Sequence, residues 1–129
     1  MATGFPASTG DVLSAAMYNG LVTFDVETDK TADYTLVLAD SYQNLVPMNK
    51  ATAVALQIPT NATAAIPVGT VITILNKGVG LCTISAVTSG TTTVLSAGAV
   101  AASPTLARYT SAACIKTATD TWYVVGAVA

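Results

Sequence analysis

The chain has 129 residues, of which 52% are hydrophobic and only 9% are charged, with no histidine and a formal net charge of −2. This length is typical of one domain, and the five basic residues are scattered, which argues against binding of a nucleic-acid backbone. Without histidine there is no Ser-His-Asp or Cys-His nucleophile and no imidazole metal ligand. We therefore predict a protein that is not an enzyme and that has no cofactor, no bound metal and no nucleic-acid partner.

The first 30 residues are predicted to form an anchoring arm with one short helix. Residues 1–10 are rich in Gly, Pro, Ser and Thr and lack the basic and apolar parts of a signal peptide. After a capping sequence, Leu13, Ala16 and Met17 recur at helical spacing, and Gly20 follows as a stop signal. Since no apolar run is long enough to span a bilayer, we expect no membrane partner and assembly in the cytoplasm.

Residues 31–129 are predicted to form a single all-β domain. Short segments rich in β-branched and aromatic residues recur about every 8–12 residues, which is typical of an antiparallel β-sandwich of the jelly-roll or Greek-key type. The predicted strands cover residues 21–26, 34–39, 42–50, 53–58, 70–76, 81–86, 91–96, 106–117 and 121–128.

Two of these strands, residues 70–76 and 81–86, are predicted to form a central hairpin. The side chains of residues 70–76 alternate between two apolar faces, as in a central strand covered on both sides. Gly78 and Gly80 lie in the connection, and glycine adopts a positive φ at no steric cost, so a tight reversal is predicted. Pro47 predicts an edge or bulge position for the segment 42–50.

Two cysteines, Cys82 and Cys114, lie in apolar strand patterns. Cysteine in such a pattern is usually a small buried hydrophobe, and two residues are too few for a disulfide framework. Free buried thiols are therefore the prediction, and a disulfide between the two is the alternative.

The most acidic stretch carries the carboxylates of Asp25, Glu27, Asp29, Asp33 and Asp40. Paired carboxylates catalyse glycoside hydrolysis, and several carboxylate oxygens together bind Ca²⁺. The stretch lacks the glycine and the final Glu of an EF-hand loop, and charged runs are usually solvated faces. We predict an exposed acidic loop, with a glycan-cleaving enzyme and a calcium site as weaker alternatives.

Aromatic side chains provide a further candidate site. Residues 42–44 and the group Tyr109, Trp122 and Tyr123 have the residue types of a carbohydrate site. Aromatic residues at strand spacing more often belong to a core or an interface, and that is the interpretation we favour.

Five short motifs occur in the order found in one family of proteins. They are Leu38-Ala39-Asp40, Asn49-Lys50-Ala51, Leu56-Gln57-Ile58-Pro59, Pro67-Val68-Gly69-Thr70 and the Lys-Thr-Ala-Thr-Asp-Thr-Trp hairpin of residues 116–126. With them, the chain from Asp33 to Gly126 resembles the small β-rich surface modules of tailed-bacteriophage virions, of the head decoration (cement) or tail-fibre type. Residues 10–19 are similar to a segment common near the start of such proteins.

This resemblance implies a structural protein of the virion. A β domain with an N-terminal arm is most similar to a capsid decoration protein, which acts as a homotrimer, binds the major capsid protein and stabilises the shell. The alternative is a tail-fibre or other receptor-binding module on the tail, with a host-surface glycan as its partner. The predicted partner-binding residues are Phe5, Leu13, Met17, Tyr18, Tyr109 and Trp122.

Overall fold

The computed structural model describes residues 25–129, which contain ten β-strands and one short helix. The predicted arm helix lies outside the described residues, as do Phe5, Leu13, Met17 and Tyr18. The elements are β1 (Asp25–Val26), β2 (Tyr34–Thr35), α1 (Asp40–Gln43), β3 (Asn44–Met48), β4 (Val54–Ile58), β5 (Val71–Asn76), β6 (Cys82–Ala86), β7 (Thr93–Ser96), β8 (Thr105–Leu106), β9 (Thr110–Ala118) and β10 (Thr121–Gly126).

These strands form two sheets, which confirms the prediction of a β-rich fold. Sheet A has six strands in the order β1-β3-β5-β9-β10-β7, and sheet B has four in the order β2-β4-β6-β8. The prediction of purely antiparallel sheets is wrong. Strands β1, β3 and β5 pair in parallel in sheet A, and β2, β4 and β6 do so in sheet B. The antiparallel pairs are β5-β9, β9-β10 and β6-β8.

The chain alternates between the sheets from β1 to β6, so consecutive strands in this region do not pair. Leu45 pairs with Thr73 in sheet A and Val54 pairs with Cys82 in sheet B, so one full coil takes 28 residues in both sheets. The predicted central hairpin is therefore wrong, because β5 belongs to sheet A and β6 to sheet B. Each of these two strands buries an apolar row in the same core. A sequence pattern cannot distinguish this arrangement from pairing of the two strands within one sheet.

The crossover between β5 and β6 explains the two glycines differently from the prediction. Positive φ angles occur at Gly69 and Gly126, not at Gly78 or Gly80. A Cβ on Gly80 would collide with the backbone carbonyl of Thr52, and one on Gly78 would collide with the Lys50 backbone. The glycines are thus needed because two backbone segments approach closely.

Asn76, the last residue of β5, fixes this crossover from inside the protein. Its side chain is fully buried, and its Nδ2 donates to the Gly80 carbonyl at 3.0 Å and to the Leu106 carbonyl at 2.9 Å. Its Oδ1 accepts a hydrogen bond from the Gly78 amide at 3.1 Å. The buried amide is thereby satisfied, and it ties β5 to the crossover and to β8.

Three predicted strand features differ in the structure. The predicted strand 34–39 ends at Thr35, and the long predicted strand 106–117 is divided into β8 and β9 by a turn in which Tyr109 has φ 63°. Pro47 lies in an interior strand, between β1 and β5. On the β1 side of β3, the backbone N–H groups of Glu27 and Lys30 donate to the carbonyls of β3. Residues 28–29 lie between these two hydrogen bonds and pass the Pro47 nitrogen, which has no N–H to donate.

Both sheets contribute to one hydrophobic core. Along β10 the side chains alternate as predicted, with Trp122 and Val124 buried and Tyr123 and Val125 exposed. Cys82 from sheet B and Cys114 from sheet A are both buried free thiols, which confirms that prediction. Burial raises the pKa of Cys82 to about 11 and that of Cys114 to about 12.

Candidate functional site

The most extended candidate site is the outer face of sheet A, formed by the side chains of β5, β7, β9 and β10 that point away from the core. One row crosses four strands, because Val71 pairs with Ile115, Ile115 with Tyr123, and Tyr123 with Leu95. None of these outward side chains is charged. The face consists of Val71, Thr73, Leu75, Thr93, Leu95, Ser111, Ala113, Ile115, Thr117, Thr121, Tyr123 and Val125.

Several large apolar side chains of this face are open to solvent. Tyr123 is 43% exposed and Val125 is 48% exposed. Beside them, a groove of about 310 Å³ is lined by residues of β7 and β10 and by Val128. A continuous uncharged surface with exposed aromatic and aliphatic groups is characteristic of a protein–protein interface.

Two of the predicted partner-binding residues lie in the described part of the chain, and their environments are opposite. Tyr109 is 73% exposed, at the turn between β8 and β9. The guanidinium of Arg108 lies 4.5 Å from the centre of its ring, and Arg108 Nε donates to the Lys77 carbonyl at 3.3 Å. Trp122 is 1% exposed and belongs to the core, so its side chain is not available at the surface. The structure does not bring these two rings together on one binding surface.

The acidic stretch is not the uniformly exposed loop that the sequence predicts. Asp40 is fully buried and the Glu27 side chain is only 6% exposed. Asp40 accepts hydrogen bonds from the Tyr34 hydroxyl at 2.8 Å and from the Val37 amide at 2.7 Å. Lys30 forms an ion pair with Glu27 Oε1 at 3.1 Å.

The buried position of the Glu27 carboxyl group changes its pKa. Within the described chain, Oε2 is buried and has no hydrogen-bond donor. Burial first, and then the neighbouring carboxyl group of Asp40, raises the pKa of Glu27 to about 7, against the opposing effect of Lys30. Glu27 therefore binds a proton at pH values where an exposed glutamate would not.

Two other carboxylates of this stretch have structural partners. Asp29 is paired with Lys77 at 2.9 Å, and hydrogen bonds from Asn49 and Lys77 lower its pKa. Asp33 accepts a hydrogen bond from the Ala55 amide at 3.0 Å. Among residues 25–129, no three His, Cys, Asp or Glu side chains come close enough to hold a metal ion.

A third cluster underlies the Lys-Thr-Ala-Thr-Asp-Thr-Trp hairpin. Lys116 is 2% exposed, and its Nζ donates to Asn61 Oδ1 and to the Ile66 carbonyl, both at 2.6 Å. Nζ also lies 5.9 Å from the centre of the Trp122 ring. Asp120 Oδ1 accepts a hydrogen bond from the backbone N–H of Asn61 at 2.8 Å. Lys, Asp and Trp of the motif thus fasten the loop after β4 to the hairpin.

This lysine cluster was not among the sites predicted from the sequence. One signal was present, because Lys116 continues the inward-facing series of Ala112 and Cys114 along β9. A lysine in such a position must be buried or must interrupt the strand. Its partner Asn61 is 55 residues away, and no local pattern relates the two.

Comparison of the chain with protein-family models, with curated proteins and with solved structures found no match in any of the three. The resemblance to phage surface modules therefore stays a prediction. Within the part of the chain that the structure describes, no helix is long and apolar enough to span a membrane.

Proposed function

We propose that this chain is a structural protein of a tailed-phage virion, a capsid decoration or cement protein that binds the major capsid protein and stabilises the shell. The observation that carries the proposal is the uncharged outer face of sheet A, whose residues Tyr123 and Val125 are 43% and 48% exposed. Apolar surface removed from water contributes roughly 25 cal/mol per Å² before the costs of association. Such a face is more stable when it is buried in a permanent assembly than when it is exposed on an isolated monomer.

The proposed assembly is a homotrimer in which each outer face packs against a sister subunit. We further propose that sheets A and B pack face to face as the two layers of a sandwich, an arrangement supported by their common core. Residues 1–24 are proposed to reach the major capsid protein. Residues 25–30 are excluded from this arm, because β1 pairs with β3 and Lys30 pairs with Met48.

The oligomer is tested by light scattering on the purified chain and on two matched valine variants. Val125→Lys places a charge on the outer face, whereas Val87→Lys changes a valine of nearly equal exposure (50%) just after β6 of sheet B. We expect trimers of the natural chain and of Val87→Lys, and monomers of Val125→Lys with unchanged circular dichroism. A monomeric natural chain, or equal masses of all three proteins, would contradict the proposed trimer.

The place on the particle is tested by the copy number in purified virions, measured against the major capsid protein. We expect about as many copies as capsid subunits, as a shell component requires. A chain lacking residues 1–24 should remain folded but fail to coat capsids. A truncated chain that coats capsids normally would contradict the role of the arm, and a small copy number would place the protein on the tail.

A tail-fibre or receptor-binding role is the second candidate, and the exposed Tyr109 favours it. A solvent-facing aromatic ring beside an arginine presents a flat apolar surface to which a host-surface sugar can stack. Under this alternative, Tyr109→Ala abolishes adhesion of the purified protein to host cells or their polysaccharide. Tyr109→Phe, which keeps the ring, retains adhesion. Equal adhesion of Tyr109→Ala and the natural chain removes this candidate.

A further inference from the structure

The cluster of Lys116, Asn61 and Asp120 places a lysine amine in direct contact with the side-chain amide of an asparagine. The amine nitrogen of the buried Lys116 and the side-chain oxygen of the half-buried Asn61 are 2.6 Å apart. The amide carbon Cγ is one carbonyl bond of about 1.23 Å further, so Nζ lies within about 3.8 Å of it. This separation approaches that of a near-attack arrangement.

We propose that Lys116 and Asn61 are a site of covalent self-modification, at which the two side chains join in an isopeptide bond. The lone pair of Nζ forms a bond to Cγ of Asn61. One proton passes from Nζ to Nδ2, the Cγ–Nδ2 bond breaks, and its electron pair leaves with the nitrogen as ammonia. The products are an amide and one ammonia molecule, so no oxidant, reductant or co-reactant is required.

The environment increases the fraction of neutral amine relative to an exposed lysine, and the neutral amine is the reactive form. Burial lowers the pKa of Lys116, and the negative charge of Asp120 partly opposes this effect. A neutral amine has two N–H groups, and two acceptors are present at 2.6 Å, Asn61 Oδ1 and the Ile66 carbonyl. The lone pair then remains available for bond formation.

Asp120 acts as a positioning residue for this step. Its carboxylate accepts hydrogen bonds from the backbone N–H of Asn61 at 2.8 Å and from the Thr92 hydroxyl at 3.3 Å. The first of these fixes the backbone that carries the reacting side chain. The amine belongs to a side chain that is 2% exposed, and Nζ lies 5.9 Å from the buried Trp122 ring, so water has little access to the amine. Exclusion of water there favours attack by the amine over hydrolysis of the asparagine.

Intact mass spectrometry of the purified full chain tests the proposal. After incubation at mildly alkaline pH, we expect a mass lower than that of the sequence by one ammonia molecule. Trypsin should then release peptide 51–77 joined to peptide 109–129, with no cleavage after Lys116. A chain that keeps its full mass at every pH, with cleavage after Lys116, would overturn the proposal.

Variants identify the residues that react. Lys116→Met and Asn61→Ala should each keep the full mass of their sequences, whereas Lys77→Met, which changes an exposed lysine, should still lose ammonia. Asp120→Asn keeps an acceptor for the backbone N–H of Asn61 but removes the charge that raises the Lys116 pKa. Linkage in Asp120→Asn should therefore occur at lower pH. Loss of ammonia from Lys116→Met would contradict the assignment of the bond, and an unchanged pH profile in Asp120→Asn would contradict the effect of the Asp120 charge on the Lys116 amine.

Discussion

The hydroxyl of Tyr34 donates to both oxygens of the buried Asp40 carboxylate, at 3.0 and 2.8 Å. This pair connects β2 to the start of α1, and its electrostatic neighbour is Glu27. Lys30 lies over the Tyr34 ring, 4.4 Å from its centre, while it pairs with Glu27. The chain around β1 is thus attached to the domain by a small buried network of two acids, one phenol and one amine.

The first prediction concerns pH. The pKa of Glu27 is raised from 4.5 to about 7 in the folded chain, so the folded state binds more protons than the unfolded state between these values. The free energy of unfolding should therefore fall as pH rises from 4.5 to about 7. One pKa unit corresponds to about 1.4 kcal/mol, so the shift corresponds to a loss of at most about 3.5 kcal/mol, which solvent screening reduces.

Urea unfolding across this pH range provides the measurement. Glu27→Gln, which cannot ionise, should remove the decline. Asp29→Asn serves as the control, because the pKa of Asp29 is lowered and its contribution is lost toward acid instead. A natural chain whose stability is constant or rises between pH 4.5 and 7 would show that the pKa of Glu27 is not raised in the folded state.

The second prediction concerns the Tyr34 hydroxyl. In Tyr34→Phe the buried Asp40 carboxylate loses a donor and keeps the Val37 amide. Leaving a buried acceptor less satisfied costs about 1–3 kcal/mol, so the urea midpoint should fall with little change in slope. Tyr42→Phe, at a tyrosine that is 37% exposed, should change the midpoint much less. Equal midpoints for the two variants would contradict a stabilising role of the hydroxyl.

The third prediction concerns the crossover between the sheets. Gly80→Ala places a methyl group against the Thr52 carbonyl, and backbone must move to accommodate it. We expect a loss of more than about 2 kcal/mol, or failure to fold. Gly90→Ala is the matched control, since nothing lies within 4 Å of a Cβ at that position. Its stability should change by less than about 1 kcal/mol. Thermal unfolding followed by circular dichroism compares the two, and similar melting temperatures would refute the close approach.

The fourth prediction concerns the two thiols. Cys82 and Cys114 are buried in the core, and burial raises the pKa of both. Because the thiolate is the reactive form, neither should react with a water-soluble disulfide reagent in the folded chain at mildly alkaline pH. Both should react completely after unfolding in urea, without any reductant. Absence of reaction in urea would indicate a disulfide, and rapid reaction of the folded chain would indicate an open core.

The sequence by itself determined the β-rich character of residues 31–129 and the position of most strands. Strands β4, β5, β6 and β10 begin and end within two residues of their predicted bounds. Their β-branched residues alternate in and out, and this local periodicity survives in any sheet arrangement. The burial of Cys82 and Cys114 follows from the same periodicity.

Only the tertiary structure decided which strands pair, because pairing depends on residues far apart in the chain. Consecutive strands β5 and β6 are individually well predicted, yet each pairs with a strand 28 residues earlier, as Thr73 does with Leu45. Gly80 serves a close approach to Thr52 rather than a turn of its own. The Lys116–Asn61 contact spans 55 residues. Such contacts arise from how the coils stack around a common core, and no local pattern encodes them.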